Sequence, residues 1–580
     1  MVSGLSRLWN GITGSFSAFL NHPRIGAWAC LLVPVAFGLI SMSLGMDANF
    51  DIFNYHLYNP FAFLNGKLAI DLAPAGMQSY FNPMLDLPYY WATRHWPPRL
   101  VGFTLGFLHG LNFVLLIGIV RKAFPSLPER DRHRLPLLLA VAGCLTSNFL
   151  CELGNAMGDN MTALFELGGL LILLAGWDSL QTWTRRAVLT VVAGGLLAGL
   201  GVGLKLTNAV YALALCFGFL VLQMHWTVRL RLAFLFGVGA LLGFALTGGY
   251  WVAEMWHLYG NPLYPQFGAI FPNPLTRSID VADTRWLPKG LLETLTWPFL
   301  FTLNPLRVNQ LHVFQLIWPL LYVLFLAWAV KSLWQRLHRR AGPALDARQS
   351  YILAFVGIGF VLWMKLFSIY RYLVPIELLA PIAAFVLFLH VLGPDWGRRI
   401  GAWALVVSAL VVLRYGLDSW GHKPWADTMF RAEVPALKTP ASTTVLVTGG
   451  KHKLPNAWLA TFFPPEVSFI GLGVSFPESR AYAAEVRRMI RQRGGPVYTI
   501  LSSQPDPEHS GDVAGKNAAL EQKAARILAH YGFGMDMSSC VQYPAYAGQW
   551  SYPYRFCRIV ERQRGRAEIP AEPEDHADDD

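Results

Sequence analysis

The sequence predicts an α-helical polytopic membrane protein with about eleven transmembrane helices and a small C-terminal α/β domain outside the membrane. Of its 580 residues, 54% are hydrophobic and only 14% are charged, whereas a soluble domain carries about 25% charged residues. Apolar runs of bilayer-spanning length recur through the first part of the chain. Strand and helix patterns then alternate in the last part. This composition excludes a disordered chain, a coiled coil and an ordinary soluble enzyme.

Eleven apolar runs have roughly the 17–25 residues that a transmembrane helix needs. No small-residue cleavage site follows the first run, so we expect a retained signal anchor behind a cytoplasmic or interfacial segment, residues 1–25. The eleven runs are 26–46, 101–120, 135–151, 160–177, 188–204, 207–223, 232–252, 311–330, 350–367, 371–393 and 401–417.

The distribution of basic residues predicts the orientation. Residues 1–417 carry 29 Lys and Arg against 17 Asp and Glu, or +12, whereas residues 418–580 carry 18 against 19, or −1. A cytoplasmic N-terminus places 18 Lys and Arg in the short cytoplasmic segments and only 8 outside, or 9 with Arg371. Eleven crossings then put the C-terminal domain outside, which in a bacterial inner membrane is the periplasm. No basic cluster suggests a nucleic-acid partner.

Two long outer loops and the C-terminal domain complete the predicted organisation. The loops, 47–100 and 253–310, are rich in aromatic residues and Pro, and long ordered loops are usually functional. The domain, 418–566, alternates strands and helices, and an acidic disordered tail, 567–580, follows. Two cysteines of this domain are predicted to form a disulfide or to stay as buried thiols, Cys540 and Cys557.

Two carboxylates stand just after the first span. If the segment is helical, Asp47 and Asp51 are four residues apart on one face, with Tyr55 and His56 beside them. Charges at this depth are costly and usually functional, and an acid there acts as a general base or binds a cation. The alternative is an ordinary polar boundary after a span.

Further charges interrupt the apolar runs at the same side. Glu152 and Asp159 lie between the third and fourth runs, where Asp159 either joins an outward acidic site or caps the next helix. Lys205 and Arg371 are outward cations, read either as snorkelling anchors or as phosphate-binding groups. Glu377 is expected to pair with Arg371.

The order of these motifs resembles the GT-C superfamily of membrane glycosyltransferases. An acidic motif follows the first span, and a second acidic turn precedes the fourth. Three further motifs follow them: Gly-Leu-x-x-Gly-Leu-Lys, Gly-Asn-Pro-x-Tyr-Pro and Arg-Tyr-x-x-Pro. The resemblance covers residues 26–395 and implies a GT-C-like transmembrane domain, 26–417, that uses polyprenyl-phosphate sugars on the outer face.

The resemblance also implies roles for individual residues. Asp51 matches the catalytic aspartate, with Asp47 as competitor because the two acids are four residues apart rather than adjacent. Glu152 and Asp159 match the second acidic loop. Arg371 matches the arginine that holds the donor phosphate, with Lys205 assisting. The implied reaction is inverting transfer of a hexosyl or pentosyl unit to a hydroxyl of a lipid, glycan or protein acceptor. Whether a divalent metal takes part is left open.

Other functions fit the same composition. A transporter or lipid flippase would also have many spans and buried charges, but it is expected to show internal repeats, and the sequence shows no clear one. A polymerase or ligase of lipid-linked glycans differs chiefly in the size of its acceptor. A non-catalytic assembly or receptor protein would act through the C-terminal domain.

Overall fold

The structure is a computed structural model, and it describes residues 17–279, 283–339, 345–448, 455–503 and 513–561. Most of the predicted N-terminal segment and the whole of the predicted acidic tail lie outside these described residues.

Long apolar helices dominate the first part of the chain. Within the described ranges, seven helices are long and apolar enough to cross a membrane, and a pair bent by 56° adds an eighth if it counts as one span. The multi-pass membrane class is therefore confirmed, whereas the count of eleven is not. The seven are Pro23–Leu44, Pro98–Ala123, Arg185–Leu204, Trp226–Thr247, Ile317–Leu337, Ala347–Leu366 and Pro394–Tyr415, and the bent pair is Tyr370–Glu377 with Ala380–Leu392.

The three remaining predicted spans are present as shorter helices. The run 135–151 is divided because the chain leaves helical geometry at Thr146, which is extended with a ψ of 153°. Its two parts are too short to cross a bilayer separately. The shorter helices are Arg134–Cys144 and Ser147–Cys151, then Asp159–Ala175, and finally Leu206–Val221.

Two of the long helices pack unusually closely. A Cβ atom added at Gly199 would lie 2.0 Å from the carbonyl oxygen of Ala240, and one at Gly243 would lie 2.0 Å from that of Leu196. Small residues let helix backbones approach in this way, which is a common basis of association in membranes. The contact holds Arg185–Leu204 against Trp226–Thr247, and the first of these helices ends at Lys205.

The two outer loops fold into short helices and turns, as their Pro and aromatic content predicts. The first loop also begins with a two-residue strand, β1, Met46–Asp47. The helices of the first loop are Ile52–His56, Tyr58–Leu64, Lys67–Ala69, Gly76–Tyr80, Pro83–Leu85 and Leu87–His95, and those around the second loop are Gly249–Tyr259, Gly290–Leu303 and Pro305–Arg307.

The C-terminal part forms a mixed α/β domain, as predicted. Its main sheet has the strand order β5-β4-β6-β10-β7, in which β5, β4 and β6 run parallel and β10 and β7 are antiparallel to their neighbours. The strands are β2 His422–Lys423, β3 Phe430–Ala432, β4 Thr444–Thr448, β5 Ser468–Leu472, β6 Val497–Ser502, β7 Phe533–Tyr543, β8 Ala545–Ala547, β9 Trp550–Ser551 and β10 Tyr554–Glu561, with helices Arg480–Arg493 and Val513–His530. A disulfide between Cys540 and Cys557 joins β7 to β10.

The first outer loop is built into the edge of this sheet. Leu72 forms a parallel bridge with Ile470 of β5, and the amide of Phe469 donates to Asp71 over 2.8 Å. Lys67 is completely buried, and its Nζ atom donates to the carbonyl of Val467 over 2.6 Å and lies 3.3 Å from Asp71. Because a buried charge is tolerated only when it is paired, this contact holds the loop and the sheet in one arrangement.

Gly76 provides a test of this junction. It has a φ of +63°, and a Cβ atom there would lie 1.9 Å from the backbone oxygen of Val474, whereas Gly66 has a φ of +62° with open space around it. Gly66→Ala should cost about 1 kcal/mol through left-handed strain alone. Gly76→Ala should cost about 3 kcal/mol because overpacking is added. Thermal unfolding measures the difference, and chemical labelling of the buried Lys67 amine should rise only in Gly76→Ala. Equal behaviour of the two variants would contradict the described junction.

Candidate active site

Asp47 is held by the backbone around it. It lies in β1, opposite His422 of β2. Its carboxylate accepts two hydrogen bonds from the side-chain amide of Asn49, at 2.9 and 3.0 Å, and one from the backbone amide of Ala156 at 2.6 Å. A carboxylate with this many donors is occupied in joining the first outer loop to the turn before the fourth apolar run.

Asp51 has a different environment. It precedes the helical turn Ile52–His56, is buried, and its Oδ2 atom lies 2.7 Å from Nη1 of Arg371. Burial is the largest single influence on Asp51 and would raise its pKa, but the Arg371 guanidinium, His56 and Lys205 together outweigh burial, and the pKa is lowered. Asp51 is therefore ionised and has a single strong partner.

Arg371 and Lys205 share one aromatic ring. The guanidinium carbon of Arg371 lies 5.2 Å from the ring centroid of Tyr372, and Nζ of Lys205 lies 5.4 Å from the same centroid. Lys205 ends its helix and donates to the carbonyl of Met157 over 2.8 Å and to the carboxylate of Asp159. The two cations, 166 residues apart in sequence, therefore approach the same aromatic ring.

The second acidic turn approaches the same place. Asp159 does not cap its helix, because Gly158 occupies the N-cap and the Asp159 carboxylate pairs with Lys205 instead. Glu152 is fully buried, and neither of its carboxylate oxygens has a hydrogen-bond partner among the described residues. Burial raises the pKa of Glu152 well above its usual range, and Asp159 adds to the effect while Lys205 and Arg371 oppose it. Glu152 is thus a neutral acid beside two cations.

Tyr55 and His56 continue the turn that Asp51 begins. Nδ1 of His56 lies 2.7 Å from Oδ1 of Asp86, and the ring of Tyr55 lies 4.2 Å from that of His56. Burial lowers the pKa of His56, but the Asp86 carboxylate outweighs it, so the pKa is raised. Nε2 of His56 is buried without a partner in the described part of the chain. A charged imidazole next to Asp51 adds positive potential to the site.

Two expectations from the sequence are corrected. Glu377 does not pair with Arg371, because its carboxylate accepts hydrogen bonds from the backbone amide of Asn148 at 3.0 Å and from the indole of Trp318 at 2.9 Å. It joins neighbouring helices instead. Capping by Asp159 is likewise replaced by its ion pair with Lys205.

Two site residues were not assigned a role from the sequence. Asp86 lies in the first outer loop, 30 residues after its partner His56, and no spacing rule links the two. Tyr372 directly follows Arg371, and this adjacency was the only available signal. The resulting cluster combines an ionised Asp51, two neighbouring cations and a neutral Glu152. Such a set can hold a phosphate and accept a proton from a hydroxyl. Within the described ranges, no three His, Cys, Asp or Glu side chains form a group suited to a metal ion.

Comparisons with known proteins give only distant similarities. No protein-family model matches the chain, and no curated protein matches its sequence. A structure of ArnT from Cupriavidus metallidurans bound to undecaprenyl phosphate is similar over 92% of this chain and 98% of that chain, with 14% identity and a TM-score of 0.46.

Two structures of an archaeal oligosaccharyltransferase are also similar. The Archaeoglobus fulgidus enzyme in the apo form aligns with 90% of this chain and 74% of its own length, at 11% identity and a TM-score of 0.40. AglB from the same organism, in complex with an inhibitory peptide and a dolichol-phosphate, aligns with 90% of this chain and 75% of its own, at 12% identity and a TM-score of 0.40. At these scores the similarities do not assign an activity to this chain.

The Asp51–Arg371 pair should dominate the stability of the site. Arg371→Met leaves a buried carboxylate without its cation, which should cost about 3–5 kcal/mol. Asp51→Asn combined with Arg371→Met should recover most of this loss. In Arg371→Met, burial loses its main opponent and the pKa of Asp51 rises, so the deficit should shrink when the pH falls from about 7 to about 5 and more of the acid is protonated. Thermal unfolding of the purified protein measures both effects, and a double variant as unstable as Arg371→Met would refute the pairing.

Proposed function

We propose that this chain is an integral membrane glycosyltransferase that moves a sugar from a polyprenyl-phosphate donor to a hydroxyl acceptor on the outer face of the membrane. The observation that carries the proposal is that Arg371 and Lys205 both approach the ring of Tyr372, next to the ionised Asp51. Side chains of both cations are partly exposed, 19% for Arg371 and 15% for Lys205. A lipid phosphate therefore has access to them.

The donor phosphate competes with the resident carboxylates. Arginine offers a bidentate fork to phosphate and lysine a point charge. When the phosphate takes the guanidinium of Arg371, Asp51 loses the main cation that lowers its pKa, and its pKa rises because His56 and Lys205 alone oppose the effect of burial. Donor binding thus releases Asp51 and makes it a stronger base. This exchange accounts for a general base that is ion-paired in the protein without substrate.

The reaction is a single displacement. The acceptor hydroxyl oxygen forms a bond with the anomeric carbon while the bond from that carbon to the phosphate oxygen breaks, which inverts the configuration. Asp51 takes the hydroxyl proton, and the leaving phosphate takes the electron pair. Arg371 and Lys205 stabilise the charge that develops on the phosphate. Asp47 is the weaker candidate for the base because donors already saturate its carboxylate.

The same proposal includes location and sidedness. The disulfide between Cys540 and Cys557 is typical of an oxidising compartment. Lys and Arg are concentrated in the segments assigned to the cytoplasm. Both features support a bacterial inner membrane, a cytoplasmic N-terminus and a periplasmic C-terminal domain.

The proposed general base, Asp51, is tested by measuring sugar transfer from defined polyprenyl-phosphate sugars, with the product masses as the readout. Asp51→Asn should lower kcat about 10³-fold, within the range that general base catalysis provides. Asp47→Asn should mainly lower the free energy of unfolding, and its effect on kcat should be smaller than that of Asp51→Asn. If both purified variants keep full transfer activity, the proposed base is wrong, and a wild-type protein that forms no product from any donor refutes the function.

The cations are tested by donor dependence. Arg371→Gln should raise the donor KM and lower kcat, because phosphate binding and leaving-group stabilisation are both lost. Arg307→Gln is the matched control, since Arg307 forms a 2.9 Å ion pair with Glu293 in the second outer loop, apart from the site residues. A change in donor KM of similar size in the two variants would contradict a phosphate site at Arg371.

A further inference from the structure

A cavity of about 270 Å³ lies between the first outer loop and the C-terminal sheet. It opens at the carboxyl ends of the three parallel strands, where open α/β sheets generally bind ligands. Thr448 ends β4, Ser502 ends β6, and Ser475 follows β5 by three residues. The helix Val513–His530 forms the opposite wall.

The first outer loop contributes the remaining wall and links the cavity to the candidate active site. Phe50 and Asn54 line the cavity, and Asp51 lies between them in the same turn. A ligand in the cavity therefore lies against the segment that carries the proposed base. The bridge between Leu72 and Ile470 holds this loop against the sheet.

The polar groups of the cavity are neutral amides and hydroxyls. Asn54 is 93% buried, and neither its side-chain amide nor that of Gln78 bonds to another described residue. The hydroxyl of Ser502 donates to Asn456 over 3.1 Å. Lys523, at the exposed rim, is the single charged residue among the described lining residues. The amide atoms of Asn54 and Gln78 remain accessible to solvent, so a ligand in the cavity can replace the water that bonds to them.

The cavity also offers an apolar surface. Phe50 is half exposed, and Val474 and Leu520 lie on the same lining. Amides and hydroxyls form hydrogen bonds with the hydroxyl groups at the edge of a sugar ring, and an aromatic face packs against its C–H face. The cavity provides both kinds of surface. The volume is at the lower limit of small-molecule sites. The dimensions suit one monosaccharide unit rather than a longer chain.

We propose that this cavity binds a neutral sugar unit of the acceptor, so that the hydroxyl to be glycosylated reaches Asp51. The assignment to the acceptor rests on the proposed glycosyltransferase function, whereas sugar binding itself does not.

Two adjacent alanines provide a matched test. Ala519 and Ala518 are both exposed on the helix Val513–His530, but only Ala519 lines the cavity. Ligand-observed NMR on the full-length protein in nanodiscs, with methyl glycosides of glucose, galactose, mannose and N-acetylglucosamine as probes, should detect binding of at least one. Ala519→Trp should weaken that binding at least tenfold, and Ala518→Trp should leave it unchanged. Absence of binding by every probe, or equal binding by the two variants, would overturn the proposal.

A second measurement separates this proposal from the proposed function. In the transfer assay, Ala519→Trp should raise the acceptor KM at least tenfold with an unchanged donor KM. Transfer that depends on Asp51 but has the same acceptor KM in both alanine variants would overturn the acceptor site and leave the function standing. Glycoside binding that is lost only in Ala519→Trp, with no transfer from any donor, would support a sugar site and refute the function.

Discussion

A buried contact between Arg371 and Asp51 joins segments that lie 320 residues apart, and the arrangement of the candidate site depends on it. Neither charge is stable alone in an apolar surrounding, because the cost of removing an ion from water exceeds what packing returns. The pair draws the turn after the first helix onto the break before the helix Ala380–Leu392. Tyr372 and Lys205 then complete a cluster in which each cation has an acidic partner. A phosphate can replace a carboxylate in such pairs, so under the proposed function the interactions that stabilise the site also suit it to a phosphate-bearing donor.

The same reasoning applies to the C-terminal domain. It is joined to the membrane part by more than its connecting segment, because the first outer loop extends its sheet at Leu72 and buries Lys67 against it. The loop thus contacts the membrane helices through Asp51 and the domain through Lys67. This double attachment explains why the cavity at the C-terminal sheet is also lined by Phe50 and Asn54, in the turn that carries Asp51.

Each of the eleven predicted apolar runs contains helix in the structure, but hydropathy did not reveal where those helices break and did not predict the apolar helix Gly290–Leu303. The run 371–393 is continuous in composition, yet the chain bends by 56° within it. The run 135–151 is interrupted at Thr146. Irregular backbone at such depth is tolerated where it is buried in protein or lines a cavity, and Leu378, Leu379 and Thr146, which lie at the two breaks, are buried. Hydropathy is averaged over a window of residues, so it does not detect a short break in a helix. Whether a helix breaks depends on whether neighbouring segments supply hydrogen-bond partners for the backbone groups that the break leaves unpaired.

The sequence by itself determined the membrane class, the α/β character of the last domain and a short set of charged candidates, because scarcity of charge makes each remaining charge informative. The predicted alternation of strands and helices in that domain also agrees with the structure, since alternating and helical periodicities are local. Tertiary structure alone decided the partners. It paired Asp51 with Arg371, gave Asp47 a structural set of donors, separated Glu377 from Arg371 and brought Asp86 to His56. Pairing between buried charges depends on distances across the fold, and a linear pattern carries no information about those distances.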